Sequence, residues 1–395
     1  YIKPESFHKL NMLTLDTSVS IHKETENFVA LVEISSYDVV RLTKQAEQNG
    51  SGSMSKTYQQ TIAAIHELVD EGTVPGASYA FIDGQQVVAG RYGAESLVPG
   101  YEPLRAGQLY DVASLTKVVG TTNVILQLVA AGQLALTDSV SKYLAKWRYP
   151  QVTVRHLLTH TSGITGYIPH RDKLSAAELH DALLTLHVGE NFNVKMVYSD
   201  INFIFLGWIA EAILGAPIQT LIAQHVLTPL GMQDSTFTPL DAQNCVPTEV
   251  SATRGVIRGV AHDPKAFVLQ RHCGSAGLFA TSDDLVRFEQ AMLTGGESAP
   301  MPASFLSELS QDQTPLRHQW RSFGWALLPT KVPTTHNCIW HSGYTGTALV
   351  LDLTTHQGLV FLSNRVHPKA PNIRFLERRN ALINTYLAEK ATQAN

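Results

Sequence analysis

Ser114 and Lys117 stand three residues apart in Y-D-V-A-S-L-T-K-V-V-G-T-T, where a helical pattern opens and runs to about Ala131. Residues three apart share one face of a helix. The spacing therefore sets a hydroxyl beside an amine. The start of a helix adds unpaired N–H groups and the positive end of its dipole. A hydroxyl, a neighbouring base and a positive field are the parts of an activated serine nucleophile. The same spacing also describes an N-cap serine followed by a surface lysine, so the motif needs company. Two later stretches supply it. Tyr198-Ser199-Asp200 opens the helical run I-N-F-I-F-L-G-W-I-A-E-A-I-L, and His341-Ser342-Gly343 lies between two β-like runs, 335–340 and 347–351.

The order S-x-x-K, Y-x-[ND], [KH]-x-G resembles the serine β-lactamase and penicillin-binding-protein superfamily. Longer stretches carry the likeness further. R-H-L-L-T-H-T-S-G-I (155–164), Y-S-D-I-N-F-I-F-L-G (198–207), T-P-L-G-M (228–232), A-G-L-F-A-T-S-D-D-L (276–285) and H-S-G-Y-T-G-T (341–347) look like its class C β-lactamase-like branch. That branch holds family VIII-type carboxylesterases, D-alanyl-D-alanine peptidases, D-amino-acid peptidases and transesterases. The resemblance covers roughly Ser55 to Leu387. It implies an α/β (α+β) fold: a five-stranded antiparallel sheet flanked by helices, a mostly helical domain inserted in the middle, and an active site between the two.

The resemblance casts Ser114 as the nucleophile of an acyl-enzyme. Lys117 and Tyr198 are the candidates to take its proton. A lysine near its usual pKa is protonated and cannot accept. A carboxylate at Asp200 would favour that ammonium form, so Tyr198 is assigned as the base, with Lys117 a cation that lowers the tyrosine's pKa. Asp200 stands where many relatives carry Asn. An ionised Asp only accepts hydrogen bonds, which removes the amide-binding role of that Asn. His341 stands where β-lactamases usually have Lys, and its charge is expected to be partial at neutral pH. Gly343 lets the backbone approach a ligand closely. The resemblance places the oxyanion hole at the N–H groups of Ser114 and Tyr344. Thr159-His160-Thr161-Ser162-Gly163 reads as a structural element near the site, and no catalytic role is assigned to Ser275. Carboxylesterase activity on short acyl esters is the first reading. A penicillin-binding protein, D-alanyl-D-alanine peptidase or muropeptide hydrolase is the alternative, ahead of a class C β-lactamase and a non-catalytic penicillin sensor. The expected ligand is a small ester or peptide, with no cofactor and no metal.

The elements that must position these residues follow from pattern and punctuation. Strands are expected at 77–82, 86–92, 322–328, 335–340, 347–351 and 358–362, and helices at 175–187, 201–214, 218–226 and from about Ile373 to Leu387. Residues 54–149 and 296–395 form the expected α/β domain, and 150–295 the helical one. Asn49-Gly50-Ser51-Gly52-Ser53 reads as a flexible tether before Met54, which makes 1–53 an expected fused segment or leader. With 395 residues, 44% hydrophobic and 16% charged, the chain can bury a large core. A net charge of −4 leaves no footprint for nucleic acid. No apolar run reaches membrane-spanning length, and no basic-then-apolar signal follows Tyr1 or Met54. The bacterial cytoplasm is the expected compartment. Cys245, Cys273 and Cys338 are too few and too scattered for a disulfide framework or a zinc site.

Overall fold

A computed structural model describes residues 58–330 and 335–391. The expected 1–53 segment lies outside the described residues. The described part belongs to one compact unit. Its centre is an antiparallel sheet of β1 (Gly76–Asp83), β2 (Gln86–Ser96), β3 (Glu102–Pro103), β4 (Ala326–Thr330), β5 (His336–Ser342), β6 (Ala348–Asp352) and β7 (Gln357–Ser363), in the order β4-β5-β6-β7-β1-β2-β3. The resemblance implies five strands, and the residue patterns place six. Seven are present: the six expected from the patterns and the short β3, which extends one edge. The first and last long strands meet in the middle: β1 pairs with β7 from Ala77↔Ser363 to Asp83↔Gln357.

The sheet is covered on both faces, and the alternation of its residues shows how. Ala77, Tyr79 and Phe81 of β1, Val350 of β6 and Phe361 of β7 face one core. Their neighbours Ala80, Ile82, Leu351 and Val360 face the other. Successive strand residues point to opposite sides, so buried strands read as continuous apolar runs. The first core is closed by α1 (Gln59–Asp70) and, from the other end of the chain, the helix Arg374–Ala391, through Ile65, Leu68, Leu382 and Tyr386. Tyr58 stacks on Phe81 with ring centres 4.5 Å apart.

The second core joins the sheet to the helical part. A π-helical turn, Lys117–Thr121, runs into α2 (Thr122–Ala130), and α3 (Asp200–Leu214) packs beside it. Residues Asn202 to Ala210 of α3 are all buried, so the helix is apolar all round and lies inside the core. Its ends are set by sequence: the Ser199 hydroxyl accepts from the Ile201 N–H, and Gly215 closes it at φ 72°. Replacing such an N-cap typically costs ~1 kcal/mol. Ser175 and Glu178 form a capping box on Ala176–Leu184.

Two expectations shift. The helix Ser282–Thr294, α4, falls in the expected 150–295 helical domain but packs on β7, β1 and β6. The strand expected at 322–328 begins at Ala326, because residues before it are pinned to the helical part. Gly324 sits at φ 77°, its N–H donates to Leu158 O at 2.8 Å, and a Cβ there would collide with the Thr122 hydroxyl. No helix among the described residues is long and apolar enough to cross a membrane.

Candidate active site

The chain reaches Ser114 through a strained turn. Ala113 adopts φ 47°, a left-handed conformation that costs energy for a residue with a side chain. Buried Asp111 holds the turn: its carboxylate accepts the Ala113 N–H at 2.9 Å and the His262 N–H at 2.8 Å. Helix starts at once beyond Ser114, and the π turn widens the spiral where Lys117 leaves it. Such π turns are frequent at functional sites.

Lys117 is fully buried, and its ammonium is fully used. Nζ donates to Ser114 Oγ, Asp200 Oδ1 and the Ser275 carbonyl, each at 2.8 Å. An ammonium donates to all three, whereas a neutral amine would donate to two and accept from the Ser114 hydroxyl, so the neighbouring charges decide between them. Burial pulls its pKa down, but Asp200 and Tyr198 outweigh burial and hold it above the usual lysine value. Asp200 is raised by burial, yet Lys117 and Lys265 hold it well below the ordinary carboxylate range. The second oxygen of Asp200 lies 3.1 Å from Lys265, which also pairs with Asp263 at 3.0 Å. The expected Ser114, Lys117 and Asp200 are thus brought together.

Tyr198 stands over this group, with Lys117 Nζ 5.3 Å from its ring centre. The T-H-T-S-G element positions it. His160 is buried at φ 56°, its ring lies 4.5 Å from that of Tyr198, and its carbonyl accepts the Val197 N–H at 2.9 Å. Its Nδ1 accepts from the Ser199 N–H and from the Asn202 amide. This places a neutral imidazole under the ring, and burial lowers its pKa well below the usual value.

His341, Gly343 and Tyr344 come in on the end of β5. Thr345 Oγ1 donates to Asp111 O at 2.7 Å and Thr347 Oγ1 to Val112 O at 3.2 Å, so the loop is tied to the segment just before Ser114. Only glycine fits at 343: a Cβ would sit 2.5 Å from Val112 O. Among the described residues, neither the Ser114 N–H nor the Tyr344 N–H donates a hydrogen bond. His341 corrects its expected partial charge. It is buried, with no hydrogen-bond partner on either ring nitrogen. Burial first, then Arg321 and Lys117, drive its pKa far below the usual value, so it is neutral at pH 7.

Ser114, Tyr198, Asp200, His341, Gly343 and Tyr344 line one cavity of about 640 Å³, with Lys117 beneath its floor. Arg171, Lys265, Arg321, Arg365 and Arg379 line it too, and the sequence reading named none of them. Lys265 had a local signal: Asp263-Pro264 is an N-cap followed by proline, which fixes the turn that carries it. The arginines had none, because each arrives from a distant segment. The three cysteines are buried and free.

An antiparallel sheet with helices on both faces and a serine–lysine–tyrosine cavity between sheet and helical part define a serine acyl-transfer scaffold. The chain matches the family described as "Beta-lactamase" over residues 61–382, and it belongs to that family. It is a serine hydrolase of the β-lactamase/DD-peptidase kind. A relative from Escherichia coli O157:H7, described as "Putative D-alanyl-D-alanine carboxypeptidase", is 30% identical over 77% of this chain and 81% of its own length. One from Salmonella enteritidis PT4 under the same description is 28% identical over 68% and 73%. Among solved structures, a class C β-lactamase in complex with cefoxitin matches with TM-score 0.69 at 21% identity, covering 85% of this chain and 99% of that one. EstCE1, described as a hydrolase with promiscuous acyltransferase activity, matches with TM-score 0.67 at 19% identity, covering 82% and 97%. These two likenesses are of fold.

Proposed function

We propose that the protein is a D-alanyl-D-alanine-type carboxypeptidase that cleaves a peptide ending in a free carboxylate. The observation that carries this reading is the charge of the cavity wall. Arg171, Arg365 and Arg379 line it, and none lies within ion-pair distance of a carboxylate among the described residues. By contrast Arg374 and Arg378, on the same helix as Arg379, pair with Glu71 and Glu67. Arg379 instead donates to Ser342 Oγ at 3.2 Å, beside the expected oxyanion hole. Arg365 is held by the Tyr344 and Asn372 carbonyls and Arg379 also by Asn380 Oδ1, all neutral acceptors. Guanidinium groups beside a substrate cavity with no acidic partner suit a carboxylate ligand. The carboxypeptidase descriptions of the relatives agree.

In this reading Ser114 Oγ attacks the carbonyl carbon and gives its proton to Tyr198. Lys117, held as an ammonium beside Asp200, has no lone pair to take that proton. It holds the hydroxyl in place and stabilises a tyrosinate. The Ser114 and Tyr344 N–H groups receive the oxyanion. Collapse breaks the C–N bond, Tyr198 returns the proton to the leaving amine, and an acyl-serine remains. Water then repeats the sequence and releases the acid.

The short-ester reading keeps one observation in its favour, the neutral His341, which leaves that position without a cation. Hydrolysis of diacetyl-Lys-D-Ala-D-Ala, its C-terminal amide and p-nitrophenyl butyrate separates the two. The free acid should exceed the amide in kcat/KM by about tenfold or more, the rate equivalent of ~1.4 kcal/mol. Arg379→Ala should narrow that ratio. Equal rates on acid and amide, with faster ester turnover, would return the esterase reading.

A further inference from the structure

Arg321 is a buried cation without a counter-ion. It is 6% exposed, it lines the cavity, and its Nε has no hydrogen-bond partner. One N–H reaches the Gly324 carbonyl at 3.2 Å, and no carboxylate among the described residues lies within ion-pair distance. A buried charge in that state is expensive unless something anionic visits it. Its guanidinium lies over Tyr198, whose ring centre is 5.7 Å from Cζ.

The charges around Tyr198 can be counted from each element packed against it. The start of the π turn gives Lys117, and α3 gives Asp200, which pairs with it. Lys265 bridges Asp200 and Asp263. The 155–163 element gives His160 and β5 gives His341, 6.0 Å from the Tyr198 ring, and both imidazoles are neutral. Among these elements two carboxylates offset two lysines, and Arg321 is the charge left over. We infer that Arg321 is a positioning residue that stabilises the Tyr198 tyrosinate, supplying the cation that neutral His341 does not. Burial draws the Arg321 pKa down to about 10, against the pull of Tyr198, which still leaves it charged at pH 7. The inference rests on the reading of Tyr198 as base.

The test is an ultraviolet difference titration of the tyrosinate band, wild type against Tyr198→Phe, repeated in Arg321→Gln, Arg321→Met and Arg321→Lys backgrounds. An opposite charge within ~4–6 Å typically shifts a pKa by about 1–3 units. The neutral variants should raise the Tyr198 midpoint by about one unit or more, a tenfold fall in its ionisation constant. The acidic limb of kcat/KM should move with it, and Arg321→Lys should restore both. A midpoint unmoved in a folded neutral variant overturns the proposal. So does a rise in KM for the carboxylate peptide with the acidic limb in place, which would make Arg321 a substrate anchor. Unimpaired turnover by Tyr198→Phe is a different failure, since it removes the base assignment itself.

Discussion

Gly343→Ala is a one-atom test of the oxyanion site. The added Cβ would meet Val112 O at 2.5 Å and collide with the Thr347 hydroxyl. Ordinary contact begins at 3.4 Å, so the two segments must part by about 0.9 Å. Both obstacles are held: Thr347 Oγ1 donates to Val112 O, and the Gly343 N–H donates to Thr347 O at 2.8 Å. Relief therefore moves the next residue, and with it the Tyr344 N–H, away from Ser114. A displacement of ~1 Å costs about 10²-fold in rate, and losing one oxyanion donor about 10²–10³, or ~2.7–4 kcal/mol. The expected result is a kcat lowered by about two orders of magnitude with KM little changed, read on p-nitrophenyl butyrate or a D-alanyl peptide. Circular dichroism and thermal melting check that the variant is folded. Gly100→Ala, where a Cβ meets nothing within 4 Å, is the control and should behave as wild type. A folded Gly343→Ala enzyme within about threefold of wild-type kcat would refute the placement of the oxyanion at Tyr344.

Two further outcomes follow from the buried charges. Asp200→Asn removes the carboxylate that holds Lys117 protonated, leaving burial to pull its pKa down. A basic limb in kcat/KM should then move to lower pH, and an unmoved limb would mean that Lys117 charge is not required. His341 has a folded pKa far below its unfolded value of about 6.5. Below that pH the unfolded chain binds a proton that the folded chain refuses, so stability is full above ~6.5 and falls by about 1.4 kcal/mol per pH unit beneath it. His341→Gln should flatten the decline in unfolding free energy between pH 6.5 and 5.5 by about 1 kcal/mol, since the unfolded histidine is only half protonated at the start of that interval. An unchanged slope would show that His341 is protonated in the fold.

The parts of the site that lie close in sequence could be read from it. Ser114 and Lys117 share a helix turn, and Asp200 follows Tyr198 at a capped helix start; local spacing fixes each pair. That Asp200 would hold Lys117 as an ammonium also followed from charge alone. The charge state of His341 did not, because burial and the approach of Arg321 set it, and neither is local. Arg321, Arg365 and Arg379 reach the cavity from the loop before β4, the end of β7 and the C-terminal helix, so no window of sequence contains their meaning. In the fold, alternating strands and capped helices were legible. The late start of β4 was not, because a contact of Gly324 with α2 sets it. The seat of α4 on the sheet likewise depends on which apolar faces meet, and an amphipathic pattern names a face without naming its partner.

The proposed chemistry passes through an acyl group on Ser114. Mass spectrometry of the protein after brief exposure to a penicillin or a D-alanyl thioester, quenched in acid and digested, tests it most directly. The expected result is an adduct on the peptide that carries Ser114, absent from Ser114→Ala together with turnover. An adduct on another residue, or turnover that survives Ser114→Ala, would contradict it.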